Sequence, residues 1–368
     1  MNGYYIHYDA RMIIGVSKKI DLQIRELRRV SSVEEIVVPL KSKNFVRNAL
    51  AVLPFLSLSW DYTEAYAKIV KPDFLYVRGI GYDRKACTFL KWVKKCNPNC
   101  LILVELPTYP YAREQLRSIQ GIVLFPKTLW NRRRISKYID RYVLTVQGYE
   151  YVNGVKTISI RNGVDVDGTI PVSPTIPKDD TVRLSAIAMM QSYHGYERLI
   201  NGLEKYYSSG GKRKVEVYLV GKGPEVGKYK KMVTEKGLQE YIHFPGEKSG
   251  DELDEIYDHT DLAVECLGCY KNGIYKLSSL KCCEYLAKGL PVLSGVENEM
   301  FGSQEVKFIC RVPNDESPID ILAVMNFYDK IYSGTGREEI TRVVRQFAKE
   351  KADIQVTFQP LLHYLKEQ

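Results

Sequence analysis

The chain has 368 residues, of which 45% are hydrophobic and 26% charged, with a formal net charge of +9. This balance is ordinary for a globular protein and excludes a disordered, collagenous or fully membrane-embedded chain. At roughly 100–200 residues per domain, the length predicts two domains. The positive excess fits a polyanionic partner (nucleic acid, an anionic bilayer or a phosphorylated small molecule) without choosing among them. The 27 tyrosines suit carbohydrate and interface surfaces, because each packs a ring and keeps a polar tip; compositional bias is the other reading. Met1–Ala10 is polar and lacks the charged-then-apolar order of a secretory signal. The longest apolar stretch, Ala49–Leu58, contains Pro54 and is about half a bilayer span. The expectation is a cytoplasmic protein whose eight cysteines are reduced thiols.

In chain order, Tyr4–His7 reads as a strand, followed by a helix with Ile20, Ile24 and Leu27 on one face. Ile36–Pro39, Phe74–Arg78 and Leu101–Glu105 are short apolar runs typical of buried parallel strands. A helix over Lys85–Lys95 separates the last two, and Val143–Val146 and Thr157–Ile160 continue the strands. Asp165–Asp180, with Pro171, Pro174 and Pro177, reads as a linker. A second series follows it: strands at Arg183–Met189, Val215–Val220, Ile242–Phe244, Leu262–Glu265 and Pro291–Ser294, and helices at Tyr196–Tyr207, Glu225–Lys236, Asp251–His259 and Ser279–Lys288. Helices close the chain over Glu338–Ala352 and Phe358–Lys366. Alternation of this kind predicts two doubly wound α/β domains. A cleft is expected where their strand ends face each other and hold two ligands together.

Several motifs lie at strand ends. Gly221-Lys222-Gly223-Pro224 follows a strand, but Gly227-Lys228 comes one residue late for a phosphate loop, and Val226 replaces the third glycine of a dinucleotide fingerprint. A tight turn is the stronger reading there. Ser278-Ser279 opens a helix closed by Gly289, with Ser278 as N-cap and Gly289 at C′. Its amides and dipole favour an anion such as a diphosphate, with Lys276 and Lys281 adding charge. A capped helix bearing a salt-bridged face of Lys281, Glu284 and Lys288 explains the pattern equally well. Gly15-Val16-Ser17 precedes the first helix, where a glycine lets a ligand approach the backbone; an ordinary turn is the alternative. Cys266-Leu267-Gly268-Cys269 has redox or zinc spacing but no second pair, so free thiols are expected. His194, at a strand end, is the best placed of the five histidines.

Lys127–Arg141 interleaves Arg132, Arg133 and Arg134 with Leu129, Trp130 and Ile135. A basic amphipathic segment with Trp reads as a membrane-surface contact through Trp130, Arg132, Arg133 and Arg134, or as a solvated helix face. No nucleic-acid-binding motif accompanies it, so no nucleic-acid partner is expected.

The ordered set Asn162-Gly163-Val164-Asp165, His194-Gly195, Leu219–Pro224, Phe244-Pro245-Gly246 and Glu284–Val292 resembles the group-1, family-4 glycosyltransferases. Glu105–Tyr111 and Gly15–Lys19 are similar to the capsule and exopolysaccharide branch. The resemblance implies a GT-B fold of two Rossmann-like domains: an acceptor domain over 1–165, a nucleotide-sugar donor domain over 166–352, and a C-terminal helix over 353–368 packing back on the first. It also implies sugar transfer, with retention and with no metal or cofactor, to a lipid-linked or growing glycan at the inner membrane face. The alternative is a catalytically silent glycan-binding partner subunit. By the same resemblance Glu284 holds the donor ribose, while Gly15, Lys222, Ser278, Ser279 and Lys281 line the donor. Lys276 stands where the family has a first glutamate, Met189 and His194 where it has an Arg and a Lys, and Glu105 where it has a histidine. Glu105, a protonated His194 and Lys276 are the expected catalytic groups.

Overall fold

The alternation of apolar strands and amphipathic helices resolves into two sheets, each within its own unit of the computed structural model, which describes residues 1–8, 14–39, 60–107, 109, 119–175, 179–301 and 306–368. Unit 1 comprises Met1–Gly163 and Ile354–Gln368; unit 2 is Val164–Asp353. The apolar stretch Ala49–Leu58 lies outside the described residues.

Unit 1 runs β1 (Asn2–His7), α1 (Ile14–Leu27), β2 (Ser32–Val37), α2 (Thr63–Lys68), β3 (Phe74–Arg78), α3 (Arg84–Cys96), β4 (Leu101–Leu106), α4 (Ile119–Ser136), β5 (Arg141–Leu144), β6 (Tyr151–Val152) and β7 (Val155–Ser159). The sheet order is β2-β1-β3-β4-β5-β7-β6. All pairs are parallel except the β6–β7 hairpin, whose turn Asn153-Gly154 has positive φ at both residues, as a two-residue hairpin turn requires. α3 shows the local logic. The Asp83 side chain accepts from the Ala86 N–H, and Ala86, Phe89, Leu90 and Val93 form the buried stripe. α1 begins at Ile14, so Gly15, Val16 and Ser17 lie inside its first turn. The expected placement of Gly15-Val16-Ser17 before the helix is corrected accordingly.

Unit 2 runs β8 (Val182–Ile187), α5 (Glu197–Ser208), β9 (Val215–Val220), α6 (Val226–Glu235), β10 (Ile242–Gly246), α7 (Asp251–Asp258), β11 (Leu262–Val264), α8 (Leu280–Lys288), β12 (Val292–Ser294), β13 (Ile309–Arg311), α9 (Ile321–Tyr332) and α10 (Arg337–Lys351). Its six strands are parallel, in the order β10-β9-β8-β11-β12-β13. The segment read as a linker is instead a strap on this unit. Val166 and Val172 are buried in its core. The Val172 N–H donates to the Lys288 carbonyl at 3.0 Å, and Arg345 donates to the Thr169 and Val166 carbonyls at 2.8 and 3.0 Å. Val166 and Val172 thus anchor residues 165–175, which are proline-rich without being loose.

The chain then returns to unit 1 as α11 (Ile354–Thr357) and α12 (Gln359–Lys366). Phe358, Leu361 and Leu365 complete a core layer with Tyr5, Ile24, Phe74 and Tyr76. Phe358 meets Tyr76 edge-on, with centroids 6.0 Å apart.

Candidate functional site

In a doubly wound sheet, ligands bind beyond the carboxyl ends of strands whose crossovers leave in opposite directions. In unit 2 that point lies between β8 and β11, because the chain builds outward from β8 to β9 and β10 before laying β11 on the other side of β8. The loops leaving these two strands meet on glycine. Gly195 has φ +67°, and a Cβ there would sit 2.5 Å from the Gly268 nitrogen. The Leu267 N–H donates to the His194 carbonyl at 2.8 Å. Arg198, itself buried, ties the same corner by donating to the Leu267 carbonyl and, at 2.7 Å, to that of Ser317.

A compact polar cluster occupies this corner. Glu265, directly after β11, is fully buried. Its carboxylate accepts from the Ser279 hydroxyl and, at 2.7 Å, from the Ser294 hydroxyl. Burial, with the neighbouring Cys266, pushes Glu265 up to about 7 against the pull of the two serines and Lys281. Cys266 and Cys269 are buried together. Their mutual hydrogen bond draws the Cys266 thiol well below its ordinary value, with Lys281 and His194 acting in the same direction, and raises Cys269. Lys281, half-buried on the first turn of α8, places its ammonium 3.3 Å from the Tyr196 hydroxyl oxygen. Burial opposes the charge of Lys281, but Cys266 and Glu265 more than offset it, so it stays a cation.

His194 is buried, and its Nδ1 accepts the Gln191 N–H at 2.9 Å. An imidazole that accepts at Nδ1 carries its proton on Nε2, and Cys266 is its other side-chain partner. Burial and the charge of Lys281 hold it below the ordinary histidine range. The expected protonated His194 is therefore corrected to a neutral one.

The structure gathers His194, Ser278, Ser279 and Lys281 around this corner and disperses the other expected residues. Ser278 is buried, but the N-cap of α8 is Ser279, whose hydroxyl accepts from the Cys282 N–H at 3.1 Å; the Ser278 cap is corrected. Gly289, at φ +87°, closes the helix as expected. Lys276 is exposed and pairs with Glu297 at 3.2 Å. Lys222 is exposed and pairs with Glu247 at 2.7 Å. Its loop is a tight turn: the Met190 N–H donates to the Lys222 carbonyl at 2.7 Å, and a side chain at Gly221 would collide with the Ala188 carbonyl. Glu284, half-buried one turn into α8, lies beside the Tyr257 phenol, while Lys288 pairs with Asp254 at 2.5 Å. These three residues thus spread along α8 instead of forming one exposed salt-bridged face. Glu265 and Tyr196 were not singled out from sequence, and Cys266 was read only as a free thiol of a Cys-x-x-Cys pair. The available signal was an acid closing an apolar strand, Leu262–Glu265.

In unit 1, Gly15 is exposed in α1. Glu105, in β4, is fully buried. One of its oxygens accepts from Lys19 at 2.9 Å and from Arg78; the other accepts from Gln23 at 3.0 Å and Tyr76 at 2.7 Å. Burial would raise this carboxyl, but Arg78 and Lys19 win and hold it far below the usual range. With four donors on two oxygens, Glu105 is a hub of the fold in this arrangement. In α4, Trp130, Arg133 and Arg134 are exposed. Arg132 is buried, with its guanidinium 4.6 Å from the centre of the Tyr82 ring, so it is corrected from surface contact to interior residue. No helix among the described residues is long and apolar enough to cross a membrane.

Residues 171–322 match the family model described as glycosyl transferases group 1. No curated protein sequence matches the chain. Over its whole length the chain is similar in structure to a glycosyltransferase from Rickettsia africae (13% identity, 98% of that chain covered, TM-score 0.63). It is likewise similar to sucrose-phosphate synthase from Thermosynechococcus elongatus (14%, 99%, 0.67) and to Anabaena HepE in complex with UDP (11%, 100%, 0.64). The fold is GT-B, and the residues matched by the group 1 model include the whole cluster at the β8/β11 corner.

Proposed function

We propose that the chain is a retaining glycosyltransferase that moves a sugar from a nucleotide-sugar donor to a lipid-linked or growing glycan in surface-polysaccharide assembly. Unit 2 takes the donor and unit 1 the acceptor, in the cytoplasm at the inner membrane face. The observation that carries this is Lys281. It sits on the first turn of α8, at the strand-end switch point, inside the region matched by the group 1 model. A helix N-terminus with an ammonium group beside it neutralises a diphosphate, and electrostatic stabilisation of a leaving group is often the largest catalytic contribution. Neutral His194 offers the substrate no positive charge, so Lys281 and the amides opening α8 stabilise the departing phosphate without a metal. In the transfer, the bond from the anomeric carbon to the phosphate oxygen breaks. The acceptor hydroxyl bonds that carbon on the same face, and its proton passes to the departing phosphate. Glu284 holds the donor ribose.

The test offers UDP-, GDP- and ADP-sugars to the purified protein and measures nucleoside diphosphate release with and without glycan acceptors. Release from one donor class, undiminished by EDTA, is expected. Loss on chelation with rescue by manganese would remove the metal-free account. A second reading, a catalytically silent partner subunit, is favoured by Lys276, which pairs with Glu297 at the surface where the resemblance places a donor-binding glutamate. Tight donor binding with no turnover or hydrolysis would establish that reading instead.

A further inference from the structure

We infer that the outward face of α4 is a bilayer-insertion surface specific for anionic membranes. On this face Ile122, Val123, Leu129 and Trp130 are 53%, 48%, 41% and 67% exposed, and Pro126, Arg133 and Arg134 are exposed with them. At about 100° per residue these seven positions fall within an arc of roughly 140°. The opposite face holds the buried Asn131, Arg132 and Ile135. The apolar residues therefore form one continuous stripe on a helix whose other side is anchored in unit 1.

Charge selects the occupant. The helix contains no Asp or Glu, and Arg133, Arg134 and exposed Lys137 continue the stripe at its C-terminal end. Apolar side chains reaching the acyl boundary, cations at the level of anionic head groups, and a Trp between the two form the arrangement of a helix lying in a membrane interface. The sequence pointed to attraction led by three arginines. The structure withdraws Arg132 and adds Ile122, Val123, Pro126 and Leu129, which changes the mode from adhesion to insertion. Insertion predicts binding that outlasts screening, because salt weakens the charge contribution and not the apolar one. The inference rests on the proposed glycan-assembly role only for which leaflet is met.

The full-length protein is floated with phosphatidylcholine vesicles, with and without phosphatidylglycerol, at low salt and at roughly 0.5 M salt, where the Debye length is only a few ångström. No donor or acceptor is present, so failure here leaves the transferase reading standing and the reverse also holds. Binding to the anionic vesicles, partly retained at high salt, is expected. Leu129→Ser with Trp130→Ser should lower partitioning at least tenfold at both salts. Arg133→Glu with Arg134→Glu should lower it mainly at low salt. Thermal melts control for folding, and brominated acyl chains should quench the Trp130 contribution, identified by its loss in Trp130→Phe. Wild-type partitioning in the folded serine variant, or binding that vanishes at high salt, would overturn insertion. So would a dimer abolished by the serine variant, since the stripe would then face a second copy.

Discussion

The Ser279 hydroxyl caps α8 and donates to the buried Glu265 carboxylate. One side chain thereby couples the start of the candidate phosphate-binding helix to the acid that ends β11. Burial lifts Glu265 to about 7, above about 4.3 for an unfolded glutamate. Between those values the folded protein keeps a proton that the unfolded chain has lost, so this group stabilises the fold fully below about pH 4 and progressively less as pH rises through 7. The span corresponds to about 4 kcal/mol. Glu265→Gln should flatten that fall and exceed the wild type in stability above pH 7. Denaturant melts from pH 5 to 8 would show it, and parallel slopes in the two proteins would refute it.

Lys281→Met should weaken binding of the preferred nucleoside diphosphate roughly ten- to a hundredfold, since a hydrogen bond to a charged group is worth about 1.5–3 kcal/mol. Lys281→Arg should recover part of the loss. Calorimetry decides, and wild-type affinity in Lys281→Met would move the phosphate elsewhere.

Glu284→Ala should likewise weaken donor binding by roughly ten- to a hundredfold, with Glu284→Gln costing less and both variants remaining folded. A nucleoside diphosphate lacking the ribose 2′-hydroxyl separates the readings. A ribose contact makes it lose less affinity in Glu284→Ala than in the wild type; equal losses would dismiss that contact.

Glu105 carries the opposite pH signature. Its depressed folded-state pKa contributes stability above about pH 4 that is lost as pH falls. Glu105→Gln removes the buried carboxylate that Arg78 and Lys19 share, so about 3–5 kcal/mol of destabilisation is expected. A variant of wild-type stability with normal donor binding and no transfer would return Glu105 to the catalytic role that the family resemblance implies.

Gly195→Ala should destabilise unit 2 by at least about 1–3 kcal/mol, the usual cost of a strained backbone position, because φ is +67° and the new Cβ meets the Gly268 backbone. An unchanged melting temperature would mean that the two loops part easily.

The apolar parallel strands were legible because each is buried on both faces. Phe74–Arg78 matches β3 residue for residue. β2 was read late, at Ile36–Pro39, because it is an edge strand in which the polar Ser32, Glu34 and Glu35 interrupt the apolar run. α9 went unread although Asp320 caps it. Its apolar residues surround the axis, with Leu322 exposed and Val324 buried, so no single stripe stood out. At the site, spacing located α8 but put its cap one residue early, on Ser278 instead of Ser279. Nor could it foresee that Lys276 would turn to Glu297. A run of arginines also hides its own phase: with Pro126 inside α4, nothing in the sequence said that Arg132 alone would face inward.

The return of the chain to unit 1 has a consequence for biosynthesis. Phe358, Leu361 and Leu365 fill a layer beneath β1 and β3, yet they are made only after the roughly 190 residues of unit 2. At roughly 5–20 residues per second on the ribosome, the nascent first sheet waits about 10–40 s with that layer open. Throughout that interval Tyr5, Phe74 and Tyr76 lack the side chains that cover them in the finished fold. Chaperone demand should therefore concentrate on this early half-completed sheet, and pulse-labelled nascent chains should show it protease-sensitive until the final helix emerges.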